Sequence, residues 1–255
     1  MVPGPGQGFW ARDALLQDVR DRLHLGVGFA IATLNLDHAV KLRERADFVE
    51  AYAHQTHVTA DGQPVVWVER LAGQPVELVT GSDLVVPLAR VAAETGAAIA
   101  LVGTTEDALA KASAHLKQAI PGLDIAVAVS PPQGFDPASD AAGALIRTLA
   151  ESRAQLCFLA LGAPKQELFA ARLRQDAPHL GIASIGAGLD FLAGAQRRAP
   201  HLLRAISLEW LWRLSGNPQR LGPRYVRCAA LLPSMSLRAL RARLAYDTAD
   251  SEAAR

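Results

Sequence analysis

Two places in this chain carry residue types that could do chemistry. The first is the run Gly162-Ala163-Pro164-Lys165-Gln166-Glu167, which follows the apolar run 156–161 and precedes a helix expected over 167–175. A buried strand ending in Gly and Pro, then a helix start with Lys, Gln and Glu, is where an open α/β sheet keeps its ligand. Helix-start N–H groups and the helix dipole attract phosphate, and a Lys beside them adds charge. The same six residues also fit an ordinary strand-to-helix turn whose polar side chains solvate the helix start. The second place is Asp61, followed by Gly62 in the polar turn 59–62. A carboxylate in a crevice can take a proton from a hydroxyl as general base. A plain Asp-Gly β-turn is the alternative.

Three further loops lie at expected strand ends: Ala32-Thr33-Leu34-Asn35, Val102-Gly103-Thr104-Thr105 and Gly186-Ala187-Gly188-Leu189-Asp190. Ligands of open α/β sheets bind at the carboxyl ends of strands, so all five loops can converge on one crevice. Charge points the same way. Residues 196–255 hold eleven Arg and four acids, whereas the rest of the chain is net acidic. A basic segment on an acidic body suits an anionic partner, and Arg without Lys favours the planar recognition of phosphate. An Arg-rich solvated helical face is the alternative.

Other chemistries lack their residues. Gly186-x-Gly188 has no third Gly at fingerprint spacing, and no phosphate-binding loop of the G-x-x-x-x-G-K type occurs, which argues against a nicotinamide enzyme. No His, Cys and carboxylate cluster has metal-ligand spacing, and His54 and His57 read as polar helix-end residues. The Arg-rich tail has neither a nucleic-acid motif nor interleaved stacking aromatics, so no nucleic-acid partner is expected. Cys157 and Cys228 sit in apolar settings and read as buried thiols of a reducing compartment. No apolar run approaches ~18 residues, and the N-terminus lacks the features of a signal peptide.

The elements that must position these residues alternate. Strands are expected over 28–34, 97–102, 125–129, 156–161 and 181–185, and helices over 37–53, 82–95, 105–120 and 139–150, with 64–71 readable either way. Such alternation predicts a doubly wound, mostly parallel α/β sheet of the Rossmann-like type. From about residue 199 the pattern changes to helical stretches rich in Leu, Trp and Arg, punctuated by Pro200, Pro218, Pro223 and Pro233. The expected division is an α/β core over 1–195 and an Arg-rich helical appendage over 196–255.

In order along the chain come Thr33-x-Asn35, Asp61-Gly62, Gly81-Ser82-Asp83-Leu84, Leu101-Val102-Gly103, Pro121-Gly122-Leu123 and Leu161-Gly162-Ala163-Pro164-Lys165-Gln166-Glu167. Gly186-x-Gly188-x-Asp190-Phe191-x-x-Gly194, Arg198-Ala199-Pro200, Leu208-Glu209-Trp210-x-x-Arg213-Leu214, Pro218-x-Arg220 and Arg224-Tyr225 follow. This series resembles the WecG/TagA/CpsF glycosyltransferases of bacterial surface-polysaccharide synthesis. The resemblance implies an inverting, cofactor-free and metal-independent transfer of a hexose or N-acetylhexosamine. The donor would be a UDP-sugar, and the acceptor a polyprenyl-diphosphate-linked sugar.

By that resemblance Asp61 is the base, and Thr33 and Asn35 line its pocket. Gly62, Gly103, Gly162, Pro164, Lys165, Glu167, Gly186 and Asp190 belong to the substrate-binding loops, and Gln166 lies near a sugar. Arg213, Arg220 and Arg224 reach the UDP diphosphate. The implied setting is cytoplasmic, peripheral on the inner face of the plasma membrane, in contact with an anionic bilayer, with homo-oligomers possible. Four positions depart from the family pattern: Leu78 stands where Arg is common, Thr104 where a second Gly is common, Asn217 where Glu is common before Pro218, and Pro223 where a first Arg is common. A non-catalytic sugar-nucleotide-binding α/β protein is the competing reading.

Overall fold

The computed structural model describes residues 8–196, 209–216 and 218–253, without the side chains of 209, 213, 220 and 246–253. Strands β1 (Ala30–Leu34), β2 (His57–Ala60), β3 (Ala98–Gly103), β4 (Ile125–Val129), β5 (Ala154–Ala160) and β6 (Gly181–Ser184) form one six-stranded sheet. Their order is β2-β1-β6-β5-β3-β4, and every pairing is parallel. A parallel sheet covered on both faces needs strands that are apolar on both sides. In β3, Ile99 and Leu101 face one core while Ala100 and Val102 face the other. Leu156 and Phe158 against Cys157 and Leu159 repeat this alternation in β5.

Helices α1 (Arg12–Leu25), α2 (Leu36–Glu44), α3 (Ala46–Ala53), α4 (Gln63–Leu71), α5 (Gly81–Glu94), α6 (Glu106–Ala119), α7 (Asp140–Glu151), α8 (Lys165–Asp176) and α9 (Gly188–Leu192) surround the sheet. Apolar stripes of α1, α5 and α6 fill one core, and those of α7 and α8 the other. Asn35, Thr80, Thr105 and Ser139 cap α2, α5, α6 and α7, each accepting a helix-start N–H. Such caps satisfy donors that the first turn leaves without partners. The architecture is the expected doubly wound, Rossmann-like α/β sheet.

Local differences have local causes. The helix expected over 37–53 is two helices, because Arg45 is extended at φ −132° and ψ 112°. The break lets α3 turn its Phe48 and Tyr52 inward beside β1 and β2. Residues 64–71 resolve as helix: Pro64 stands in the first turn of α4, and Val65, Val66 and Val68 are buried. His57 is a buried member of β2, not a helix-end residue. This strand escapes sequence reading because His57 and Thr59 are polar, yet both are buried, His57 bonding the Asp18 carboxylate and the Thr59 hydroxyl donating to the Val79 carbonyl. His54, by contrast, does end α3. Helix α1 carries no motif and was not anticipated.

Beyond the core, α10 (Glu209–Gly216) precedes α11 (Pro218–Ala253), which runs through Pro223 and Pro233. Cys228, Leu231, Met235 and Ala239 recur at near-helical spacing on α11. They bury against Ala39 and Val40 of α2 and Val68 of α4. Trp210 meets Tyr225 edge-on at 5.9 Å, joining α10 to α11. Arg198-Ala199-Pro200, Leu202, Leu203 and Ile206 lie outside the described residues. Both cysteines are buried free thiols.

Candidate active site

Connection order locates a crevice. The crossover from β3 leads outward to β4, whereas those from β1 and β5 lead toward the β2 edge. The direction reverses between β5 and β3, and such switch points open a crevice at the strands' carboxyl ends. Gly103 ends β3 there at φ 126°, and a Cβ on it would stand 2.3 Å from the Ala160 carbonyl oxygen. Thr104 follows at φ 55°, the one non-glycine residue at positive φ among those described. Its N–H donates to Ala160 O at 3.3 Å, its carbonyl accepts from Ser130 Oγ at 2.7 Å, and its hydroxyl donates to Asp190 Oδ1. A conformation that Gly adopts freely is thus imposed on Thr by three hydrogen bonds, and strain of that kind gathers at functional sites.

The next loops belong to the same edge. Gly162 at φ 71° turns β5 into α8, through a cis Ala163–Pro164 bond, so that half-exposed Lys165 opens the helix. Gly186 at φ 57° turns β6 toward α9, which brings Asp190 back to Thr104. Gln166 and Glu167, by contrast, are buried. Gln166 Oε1 accepts from the Gly186 N–H at 3.1 Å, and its Nε2 donates to Glu167 Oε1 at 2.8 Å. This amide ties the loop after β6 to the start of α8.

The β1–β2 pair sets the carboxylate. Thr33 and Leu34 pair with Thr59 and Ala60, and the Asp61 N–H donates to Leu34 O at 2.8 Å. Asp61 is therefore held immediately past the end of the sheet. Thr33 Oγ1 donates to Asp61 Oδ2 at 3.2 Å. Gly62 at φ 111° then redirects the chain into α4. Asn35 accepts the His38 N–H at 3.1 Å as the cap of α2, so its side-chain oxygen is in use. Leu78 is bridged to Ala60 one residue before Asp61 and is partly exposed. A half-buried carboxylate that accepts a hydroxyl hydrogen bond just past the carboxyl end of a sheet can orient and deprotonate a bound hydroxyl.

Beneath Thr33 lies a layer that the sequence did not disclose. The Thr33 carbonyl accepts from Tyr52 Oη at 2.7 Å and from His38 Nδ1 at 2.5 Å. His38 Nε2 stands 3.9 Å from Glu167 Oε1. Burial pushes the Tyr52 hydroxyl well above its ordinary range, and the Glu167 and Asp61 carboxylates push it further, so it serves as a donor. Nothing in the spacing of His38 and Tyr52 marks them. Only the break at Arg45, which folds α3 back, brings them together.

The Arg residues fall in two groups. Arg224 reaches Asp37 in the first turn of α2, with Nε 3.1 Å from Oδ1 but at an angle that makes no hydrogen bond. It thus stands beside the start of α2, which follows the end of β1. Arg213 and Arg220 lie on α10 and α11, with their side chains outside the described residues. Among the described residues no group of three or more His, Cys, Asp or Glu could hold a metal ion.

Comparison with known proteins identifies the family. The model of the glycosyl transferase WecG/TagA/CpsF family matches residues 10–248. The chain is 27% identical over 195 residues to an N-acetylglucosaminyldiphosphoundecaprenol N-acetyl-beta-D-mannosaminyltransferase of Bacillus spizizenii, covering 76% of this chain and 73% of that one. The match takes in the core strands, the loops at their carboxyl ends and both tail helices, and on that ground the chain belongs to the WecG/TagA/CpsF glycosyltransferase family.

Proposed function

We propose that this glycosyltransferase moves a hexose or N-acetylhexosamine, with inversion, from a UDP-sugar to a polyprenyl-diphosphate-linked sugar in cell-surface polysaccharide synthesis. The observation that carries the reading is Asp61, fixed past the end of β2 and hydrogen-bonded by Thr33. Asp61 takes the proton of the acceptor hydroxyl. The freed oxygen attacks the anomeric carbon of the donor from the face opposite the diphosphate. The bond from that carbon to the β-phosphate oxygen breaks, and UDP leaves with the electron pair. Negative charge grows on the leaving oxygen, and guanidinium groups stabilise it best when already aimed there. Arg224, beside the start of α2, takes this task, with Arg213 and Arg220 as its companions. The loops at Gly103, Gly162 with Pro164 and Lys165, and Gly186 with Asp190 cradle the nucleotide. Gln166 and Glu167 support the Gly186 loop from below.

The B. spizizenii relative's name specifies a lipid-diphosphate-linked N-acetylglucosamine acceptor, which supports the same acceptor class here. In this reading residues 1–195 form the catalytic core, and 196–255 form an appendage that meets the inner face of the membrane. No helix among the described residues is long and apolar enough to cross a bilayer. Trp210, Leu211, Trp212, Val226, Leu237, Leu240 and Leu244 are nevertheless exposed on helices rich in Arg, a surface suited to interfacial contact. The test is UDP release from a panel of UDP-sugars given a synthetic polyprenyl-diphosphate-linked N-acetylglucosamine, with the product anomer read by NMR. Acceptor-dependent release and an inverted anomer are expected. Absence of acceptor-dependent release across the panel, or a retained anomer, would overturn the reading.

A further inference from the structure

The end of β1 has lost its sheet partner on one side. Pairing of β1 with β6 covers only Ala30 with Ile182 and Ile31 with Ala183. Leu34 O still bonds toward β2, through the Asp61 N–H. The preceding carbonyl, that of Thr33, points the other way, where β6 has already diverged toward Gly186. A buried carbonyl without a partner is costly. Here side chains replace the missing strand: His38 Nδ1 and Tyr52 Oη both donate to it. A carbonyl has no proton to give, so this bond requires the imidazole proton on Nδ1, which Tyr52 Oη also approaches at 2.8 Å, while Nε2 lies on the side of Glu167 Oε1.

Glu167 is fully buried, and its Oε2 has no hydrogen-bond partner among the described residues. Its Oε1 accepts from Gln166 Nε2 and stands 3.9 Å from His38 Nε2, beyond hydrogen-bond reach. Two hydrogen-bonded groups therefore meet under the site: the Gly186 N–H, Gln166 and Glu167 on one side, and His38, Tyr52, Thr33 and Asp61 on the other. We propose that His38 is a positioning residue for glycosyl transfer, holding the Thr33 carbonyl so that the Thr33 hydroxyl keeps Asp61 aimed at the acceptor. This rests on the assignment of Asp61 as base. His38 itself is buried, 4% exposed, behind Thr33.

Replacing His38 in the full-length chain tests this, because Asn and Gln each keep one end of the imidazole. The Asn amide nitrogen replaces Nδ1, whereas that of Gln replaces Nε2. His38→Ala should lower kcat by on the order of 10-fold, less than the loss at Asp61 itself, with donor KM nearly unchanged. The acidic limb of its kcat profile should move to higher pH, since a carboxylate that loses a donated hydrogen bond is protonated more readily. His38→Asn should recover most of the loss, and His38→Gln should not. In a Thr33→Val background His38→Ala should cost nothing further, because its effect passes through the missing hydroxyl. That cycle compares chains carrying the same Ala, so a general loss of folding cannot imitate it. Equal losses in both backgrounds, or recovery by Gln and not by Asn, would overturn the proposal. Asp61→Asn run alongside separates the two ideas. If it is inactive while His38→Ala behaves as wild type, the positioning role fails and the base stands; if it is active, the base assignment fails first.

Discussion

One strand pair, β1–β2, has a buried histidine at each end, and the two are held in opposite ways. At the amino end His57 has a partner on each ring nitrogen: Thr56 Oγ1 at 2.7 Å and Asp18 Oδ2 at 2.7 Å. Trp10 covers its ring, with centroids 4.5 Å apart, and Arg22 Nε bonds the same Asp18 oxygen. This cluster pins α1 to the sheet. At the carboxyl end His38 serves a carbonyl that the sheet has abandoned, beside a Glu167 carboxylate that has only one of its oxygens hydrogen-bonded among the described residues. Polar groups buried at the amino end are spent on holding elements together. At the carboxyl end they hold the loops that the proposed function assigns to the substrates.

The strongest way to break this comparison is Asp61→Asn, which should cut turnover by ~10²-fold or more at an unchanged melting temperature. Steady-state kinetics beside a thermal melt checks both halves. If turnover stays near wild type at saturating substrates, the carboxyl end is no longer special. Next in size is membrane capture. Sedimentation with anionic vesicles should fall by on the order of 10-fold between low and high salt, because the Arg-rich tail supplies the charge. Equal binding to neutral vesicles at both salt levels would remove that role.

The amino end should show the reverse pattern. His57→Gln should cost ~1–3 kcal/mol of stability, the usual penalty for disrupting buried hydrogen bonds, with kcat of the folded protein unchanged. The same cluster sets an acid limit. Burial lowers the His57 pKa; Asp18 opposes this, while Arg22 and Arg174 add to it. The fold thus favours neutral His57, and that stability is complete above the ordinary imidazole value of about 6.5 and lost as pH falls through the lower folded value. Burial would raise the Asp18 carboxyl, but hydrogen bonds from Arg22 and His57 outweigh it and hold the group below its ordinary range. Its contribution is likewise lost on acidification. Melting temperature should therefore drop from about pH 7 to about pH 4, and less steeply in His57→Gln. The smallest expected effect is none: EDTA should leave turnover intact, since the described residues offer no metal-ligand cluster. Loss with EDTA and rescue by Mg²⁺ would assign the diphosphate to a cation instead of Arg.

The sequence made the sheet legible where strands are apolar on both sides. In β3, β5 and β6 hydrophobic runs ended by Gly leave little else possible. It failed at β2, where His57 and Thr59 satisfy their polarity through contacts distant in the chain. The site divides in the same way. Asp61, Gly103 and Gly186 were readable because turn chemistry is local. His38 and Tyr52 were not, since their meeting depends on the break at Arg45, which carries no Gly or Pro to announce it. Thr104 lay between: a Thr where Gly is common was visible, but not the bonds from Ser130 and to Asp190 that hold it there.

Helix α2 is gripped on two sides. Ala39 and Val40 are packed under α11, and the adjacent His38 is buried toward Thr33. Closely packed interiors deform little and pass displacement on. In the reading proposed above, the helix is a rocker between the appendage and Asp61. A load that tilts α11, such as engagement with a bilayer, would then be passed on to the end of β1. Contact with the surface that presents the acceptor and alignment of the proposed base would become one mechanical event, set by a helix nine residues long.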